Sequence, residues 1–432
     1  MRKFHRLAAG LMAAVAVTVA GCGGSDDSSD GSDKASSGPV TIEWWHIGTN
    51  DPLKSLWQKT ANDYMAANKN VKIKITVLEN EAFKQKLTTN MQAGNPPDIF
   101  HSWGGGVLKE QADAGLVKDI TKDTSSWIGN LNEAAAGLYK VDGKQYGVPY
   151  DLGMVGVWYN KSLFKKAGID APPETWEDML ADVQKLKDAG ITPIAVGEGD
   201  KWPGMFWWAN LSLRIAGSEA MAKAGEDGSF TEPGFVEAGK QLKRLIDMKP
   251  FQKGFLAAKW DGGSSTESST MANEKAAMDV MGHWAPATMA ANTKDKNFTS
   301  KLGWFPFPTV EGGAGKPGEQ FGGGNGYALA EDAPPEAVDF LKYLTDVEQA
   351  TAQGKSGATL PVTKGSESSI TDPQLKTVIE TRGEATFVQL YLDQAYAPAV
   401  GAAVNDTVQL LFAGKASPED VSKKIADAAK AG

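Results

Sequence analysis

Cysteine is all but missing from this 432-residue chain: Cys22 is the only one. Beyond that position there is no disulfide, no Cys-ligated metal and no Cys nucleophile. Histidine is nearly as scarce, and of the four residues only His46, His101 and His283 lie beyond the first 22 positions. Each follows an apolar run that reads as a strand, so a three-His zinc site stays open as an alternative, although there is no His-rich loop. Positive charge is also short, 44 Lys and Arg against 53 Asp and Glu for a net −9, which argues against nucleic acid and polyanionic ligands. Catalytic signatures are missing too. Gly354-Lys355-Ser356 resembles the end of a P-loop, but Gln349 stands where its first glycine belongs. Ser162-Leu163-Phe164-Lys165 meets a Ser-x-x-Lys pattern by chance, and there is no Gly-x-Ser-x-Gly elbow. No cofactor is expected.

The start of the chain carries an address. Arg2, Lys3 and Arg6 precede an apolar run over residues 7–20, too short for the about 20 residues of a membrane span but laid out as a secretory leader. It ends in Val19-Ala20-Gly21-Cys22, which resembles a bacterial lipobox; a plain leader with an incidental Cys is the bland alternative. A lipobox implies lipidation at Cys22 and anchoring at the outer face of the cytoplasmic membrane, where two or more acyl chains hold stably. Losing the leader takes the net charge to about −12. Residues 23–38, GGSDDSSDGSDKASSG, form a flexible acidic tether. The remaining chain of about 400 residues exceeds what one core serves, and two domains are expected.

Residues 40–45 read as a buried strand, and Asn50-Asp51-Pro52 as a helix start with Asp as cap. Leu53, Leu56, Trp57, Ala61, Tyr64 and Met65 keep helical spacing, and Val71, Ile73, Ile75 and Val77 alternate as a strand. A helix over residues 83–93 and a strand over 98–100 complete a parallel α/β pattern. The pattern changes near Tyr150. Strands are expected at 155–159, 193–196, 277–281 and 327–330, and helices after Thr175, at 235–248 and at 336–345. The Gly- and Pro-rich residues 303–326 cross back, and helices dominate from about 371 to 430.

Five stretches, in order, carry a resemblance. They are VTIEWWHIG (residues 40–48), AGNPPDIFHSWGGGVLKEQADAGLVKDI (93–120), VDGKQYGVPYDLGMVGVWYNKSLFKKAG (141–168), MANEKAAMDVMGHW (271–284) and GGGNGYALAEDAPPEAVDFLKYL (322–344). Together they resemble the family 1 extracellular solute-binding proteins, the group that includes maltose-binding protein. The resemblance implies an α/β fold of two lobes, periplasmic-binding-protein-like, with ligand in the interlobe cleft and crossing hinge segments. The N-terminal lobe would comprise residues 39–150 and 307–350, and the C-terminal lobe 151–306 and 351–432. It also implies a monomeric receptor serving ABC permease subunits with a separate ATPase. Within the family the chain looks most similar to receptors for xylobiose and xylo-oligosaccharides.

A sugar presents apolar C–H faces that suit an aromatic ring and a hydroxyl rim that suits planar donors and acceptors. Stacking one face is worth about 1–2 kcal/mol if roughly 50 Å² is buried. Trp outnumbers Tyr, 13 to 9. Trp44, Trp158 and Trp176 sit inside element patterns and read as core. Trp103 ends a strand, on the usual ligand side of an open α/β sheet. Trp284 follows a strand and matches the place where family members carry a stacking aromatic. Trp207 and Trp208 cannot both face the core from a short helix start, so one is expected at the cleft; Trp260 is a loop-borne candidate. Among polar groups, Glu79 and Asn80 lie in an expected loop and are alternatively a solvated turn. Tyr150 and Asp151 lie on the first hinge, which family members use to touch sugar. Gly323 and Asn325 stand in a glycine run that lets backbone approach a ligand, or is a flexible return. Arg382 offers a planar fork from a late loop, or a surface ion pair. A neutral oligosaccharide receptor that is not an enzyme is therefore expected. An anchored glycoside hydrolase using two carboxylates about 5–10 Å apart, such as Glu79 and Asp151, and a metal-binding receptor are the alternatives.

Overall fold

In β1 (Val40–His46), the first strand among the described residues, the period of two sends adjacent indoles to opposite faces. Trp44 and Trp45 therefore nucleate two different cores. The computed structural model describes residues 38–431; the leader, the lipidation at Cys22 and all of the tether but Gly38 lie outside the described residues. Trp44 packs with Ile42, Trp57, Ile99, Tyr327 and Phe340 on one face of a sheet, and Trp45 with Phe83, Phe100, Leu108 and Tyr139 on the other.

The remaining strands are β2 (Val71–Val77), β3 (Ile99–Ser102), the ribbon β4 (Lys140–Val141) and β5 (Lys144–Gln145), β6 (Gly147–Asn160), β7 (Met278–Gly282), β8 (Leu302–Phe305), β9 (Glu319–Leu329) and β10 (Phe387–Leu390). β1 lies parallel between β2 and β3, Trp44 opposite Ile75 and Ile99. The helices Leu53–Ala67 and Asn80–Gln92 make the crossovers, as the alternation of elements requires. The cap of the first differs from expectation. Pro52 takes the N-cap position, and Asp51 Oδ1 accepts from the Ser55 amide at 3.0 Å.

The strand expected at 155–159 is the second half of a longer one: β6 starts before Tyr150 and runs unbroken for 14 residues. Its first half pairs with β9 and its second half with β7 and β8. β9 in turn pairs with β3 at one end and with β10 at the other. These two strands join the lobes of the fold. The glycine run 322–324 belongs to β9 and is not a flexible return. A Cβ at Gly324 would stand 2.7 Å from the Asp151 carbonyl, and one at Gly323 2.6 Å from the Tyr391 ring.

The second lobe has one large core containing Trp158, Trp176, Met179, Trp207, Trp208, Phe235 and Val280. Its helix Trp176–Asp188 is capped by Thr175, whose Oγ1 accepts from the Asp178 amide at 3.2 Å. The strand expected at 193–196 is reduced to bridges from Ile194 to Phe251 and Met278. Among the described residues, no helix is long and apolar enough to cross a membrane.

Candidate functional site

A cavity of about 440 Å³ lies where the two cores of the first lobe face that of the second beside β6 and β9. Trp103 and Tyr150 approach it beside the first cores; Trp202, Phe206, Trp260, Trp284 and Tyr391 approach from the second.

The hinge strands build its floor. A register shift in β6 between Pro149 and Asp151 turns the Asp151 carboxylate inward. Asp151 is buried, and its oxygens are occupied: Oδ2 meets His283 Nε2 at 2.9 Å, while Oδ1 accepts from the amide and Nδ2 of Asn325, each at 2.8 Å. Tyr150 stacks on Tyr327 at 5.3 Å and meets Trp57 edge-on at 5.1 Å.

Trp103 is half-buried, edge-on to His101 at 4.4 Å, with the Lys84 ammonium 5.4 Å from its ring centre. Lys84 reaches Asp393 at 2.8 Å and Glu81 at 3.1 Å. Burial opposes its charge, but Asp393 and then Glu81 outweigh that and hold it above the ordinary lysine range. Trp284 precedes the helix Ala285–Ala291, edge-on to Tyr391 at 6.1 Å. On the same side, Trp202 meets Phe206 at 5.2 Å and Trp260 at 6.3 Å, and Phe206 stacks on Tyr391 at 5.6 Å. Asp200 accepts from the Trp260 amide at 2.8 Å, and burial pushes its carboxyl up. Three polar pairs cross the crevice: Asn50 with Asp261, Lys259 with Glu79 at 3.4 Å, and Lys84 with Asp393. Flat rings interleaved with carboxylates and amides suit a ligand that has apolar faces and a rim of hydroxyl groups.

Glu79, Asn80, Trp103, Tyr150, Asp151, Trp260, Trp284 and Asn325 line this cavity. Glu79 and Asn80 do so from a helix start rather than a loop, Glu79 as the N-cap residue. The Oδ1 of Asn80 is buried without a partner. Trp207 and Trp208 do not reach the cavity. Both are fully buried, edge-on to Phe307 and stacked on Phe235 respectively, because their helix, Trp202–Ile215, is covered on nearly all sides. Gly323 lies behind the Tyr391 ring. Arg382 is in the helix Pro373–Glu384, not a loop, and its guanidinium donates to the Leu152 carbonyl behind the hinge. Burial draws it below the ordinary arginine value.

Trp202, Phe206, Lys84, Tyr391 and Asp393 line the cavity without having been singled out. Helical spacing held a signal for two of them, since 202 and 206 share a face and 207 and 208 turn away by about 100° steps. The three histidines stand apart in role. His46 and His101 are pushed down to about 3, mainly by burial, while His283 serves Asp151. Among the described residues, no three His, Cys, Asp or Glu side chains converge on a metal position.

Residues 49–351 match the family described as bacterial extracellular solute-binding protein. The chain belongs to that family. This solute-binding protein is 27% identical over 345 residues to the multiple sugar-binding protein of Streptococcus mutans, covering 78% of this chain and 77% of the relative. It is 26% identical over 365 residues to the diacetylchitobiose binding protein DasA of Streptomyces coelicolor, covering 81% and 80%. A solved structure from work on xylan utilization by the thermophilic bacterium Caldanaerobius polysaccharolyticus superposes with a TM-score of 0.82 at 26% identity, over 90% of this chain and 99% of that one. A chitin oligosaccharide binding protein gives 0.81 at 26%, over 91% and 98%.

Proposed function

We propose that this solute-binding protein is the receptor of an ABC importer for a neutral oligosaccharide, xylobiose or a xylo-oligosaccharide first, and performs no chemistry on it. The observation that carries the reading is the shared crevice, in which Trp103 and Tyr150 face Trp202, Trp260 and Trp284 across a cavity of about 440 Å³. Such a volume is ordinary for a small-ligand site. Relatives named for sugars and for diacetylchitobiose support a carbohydrate; the structure from xylan utilization supports the xylo-series.

The pairs Asn50–Asp261, Glu79–Lys259 and Lys84–Asp393 form only while the walls are close. A sugar touching both walls adds contacts to that arrangement and shifts the population toward closure. Membrane permease subunits, powered by a separate ATPase, then accept the sugar from the closed receptor. The receptor acts as a monomer, needs no cofactor, and is held at the outer face of the cytoplasmic membrane through lipid on Cys22. Lobe boundaries near 150, 307 and 350 belong to the same reading. A hydrolase would need a free carboxylate pair, whereas Asp151 has both oxygens occupied and Glu79 stands half-exposed at the rim beside Lys259.

Calorimetric titration against xylo-, cello-, chito- and malto-oligosaccharides tests the proposal. Saturable binding without turnover of the sugar is expected. Release of shorter products, or no binding across the panel, refutes it.

A further inference from the structure

The wall that carries Asp200, Trp260 and Asp261, next to the helix opened by Trp202, consists of two segments that belong to no strand and no long helix. Segments of that kind hold ligand-facing rings steady only if something beneath them is rigid. They are stitched to each other: Gly199 donates to the Ala258 carbonyl at 2.7 Å, and the Asp200 carboxylate accepts from the Trp260 amide at 2.8 Å. Lys201, between Asp200 and Trp202, has φ 68°, a left-handed conformation that a non-glycine residue adopts only when its surroundings impose it. Beneath lies Glu267. Its Oε2 accepts from the Gly197 amide at 2.6 Å, its own amide donates to the Lys259 carbonyl at 2.9 Å, and the Ser268 amide donates to that of Trp260 at 2.9 Å. The one residue thus grips both segments.

Glu267 does not line the cavity and is almost fully buried, as are Asp279 on β7 and Glu198. Both oxygens of Asp279 lack a partner. The carboxyls of Asp279, Glu198 and Asp200 bear on Glu267. Burial first, and then Asp279, push the Glu267 carboxyl well above the ordinary range; burial does the same to Asp279.

We propose that Glu267 is the positioning residue of this wall: its carboxyl holds the Gly197 amide on one segment, while its own amide and that of Ser268 hold the Lys259 and Trp260 carbonyls on the other. The proposal rests on the receptor reading for its ligand but not for its mechanics. Glutamine at this position keeps the acceptor for the Gly197 amide, and alanine removes it.

The test compares the processed protein with Glu267→Gln and Glu267→Ala. Acrylamide quenching of tryptophan without ligand reads the wall, and xylobiose titration reads the site. Glu267→Gln should quench like the parent and bind within about threefold of it. Glu267→Ala should be more open to acrylamide and lose about tenfold or more in affinity. A folded Glu267→Ala with parental quenching and affinity overturns the proposal, as does a Glu267→Gln that performs no better than Glu267→Ala. If Glu267→Ala does not fold, Glu267→Met, of similar length but without the acceptor for Gly197, takes its place. If xylobiose fails to bind while quenching behaves as expected, the sugar assignment falls and the positioning role stands.

Discussion

Replacing Trp284 with alanine removes a ring that lines the cavity from the second lobe while leaving that lobe's packing largely in place. The indole is half-buried and is contacted edge-on by Tyr391 at 6.1 Å and His283 at 5.3 Å. Its remaining surface is what a sugar face would cover. Burying roughly 50 Å² of apolar area is worth about 1.3 kcal/mol, and an aromatic stacking geometry adds about 0.5–1.5 kcal/mol. Together they amount to about 2 kcal/mol, a loss of roughly thirtyfold in affinity. Trp284→Phe retains a flat ring of smaller area and should fall between the two. The assay is calorimetric titration with xylobiose, backed by urea unfolding of each variant. Unchanged affinity in a folded Trp284→Ala protein would remove the ring from the ligand platform. A collapse in stability as large as the loss of binding would show instead that the ring acts by packing.

Trp207→Ala should behave in the opposite way, costing about 3–5 kcal/mol of stability as a large buried ring lost from the core, read as a lower urea midpoint with binding per folded molecule retained. Gly323→Ala should weaken both: its Cβ would stand 2.6 Å from Tyr391, the ring that backs Trp284 and Phe206, and overpacking costs about 1–3 kcal/mol, measurable by unfolding and by titration. His101 is held down to about 3, by burial first and then by His46. Below pH about 6.5 the unfolded chain takes up a proton that the folded imidazole refuses. Its contribution is therefore complete above that pH and fades as pH falls toward 3, and His101→Gln should flatten the acid limb of a stability profile recorded by thermal unfolding.

Much of the outline could be read from residue order. The alternation in Val71–Val77, the helical spacing from Leu53, the cap at Thr175 and the strand preceding Trp284 rest on periods of 2 and 3.6, and these the structure contains. Trp103, Trp260 and Trp284 could be picked out because they follow strands or sit beside glycines, where a side chain has an open side. The segment at 193–196 misled for the opposite reason: a short apolar run is buried whether or not it pairs as a strand, and Ile194 makes only isolated bridges.

Composition and order alone settled the scarcity of thiols, the acidic surplus, the alternation that demands an α/β fold, and the stretches that match a known family, since each is a property of one position or of near neighbours. Which face of an almost wholly buried helix meets the crevice is not such a property. Trp202 and Phe206 became cavity wall and Trp207 and Trp208 became core because Phe307 and Phe235 lie on one side of that helix and Tyr391 on the other. Those partners are about 30 to 190 residues away along the chain, and only the folded packing brings them together.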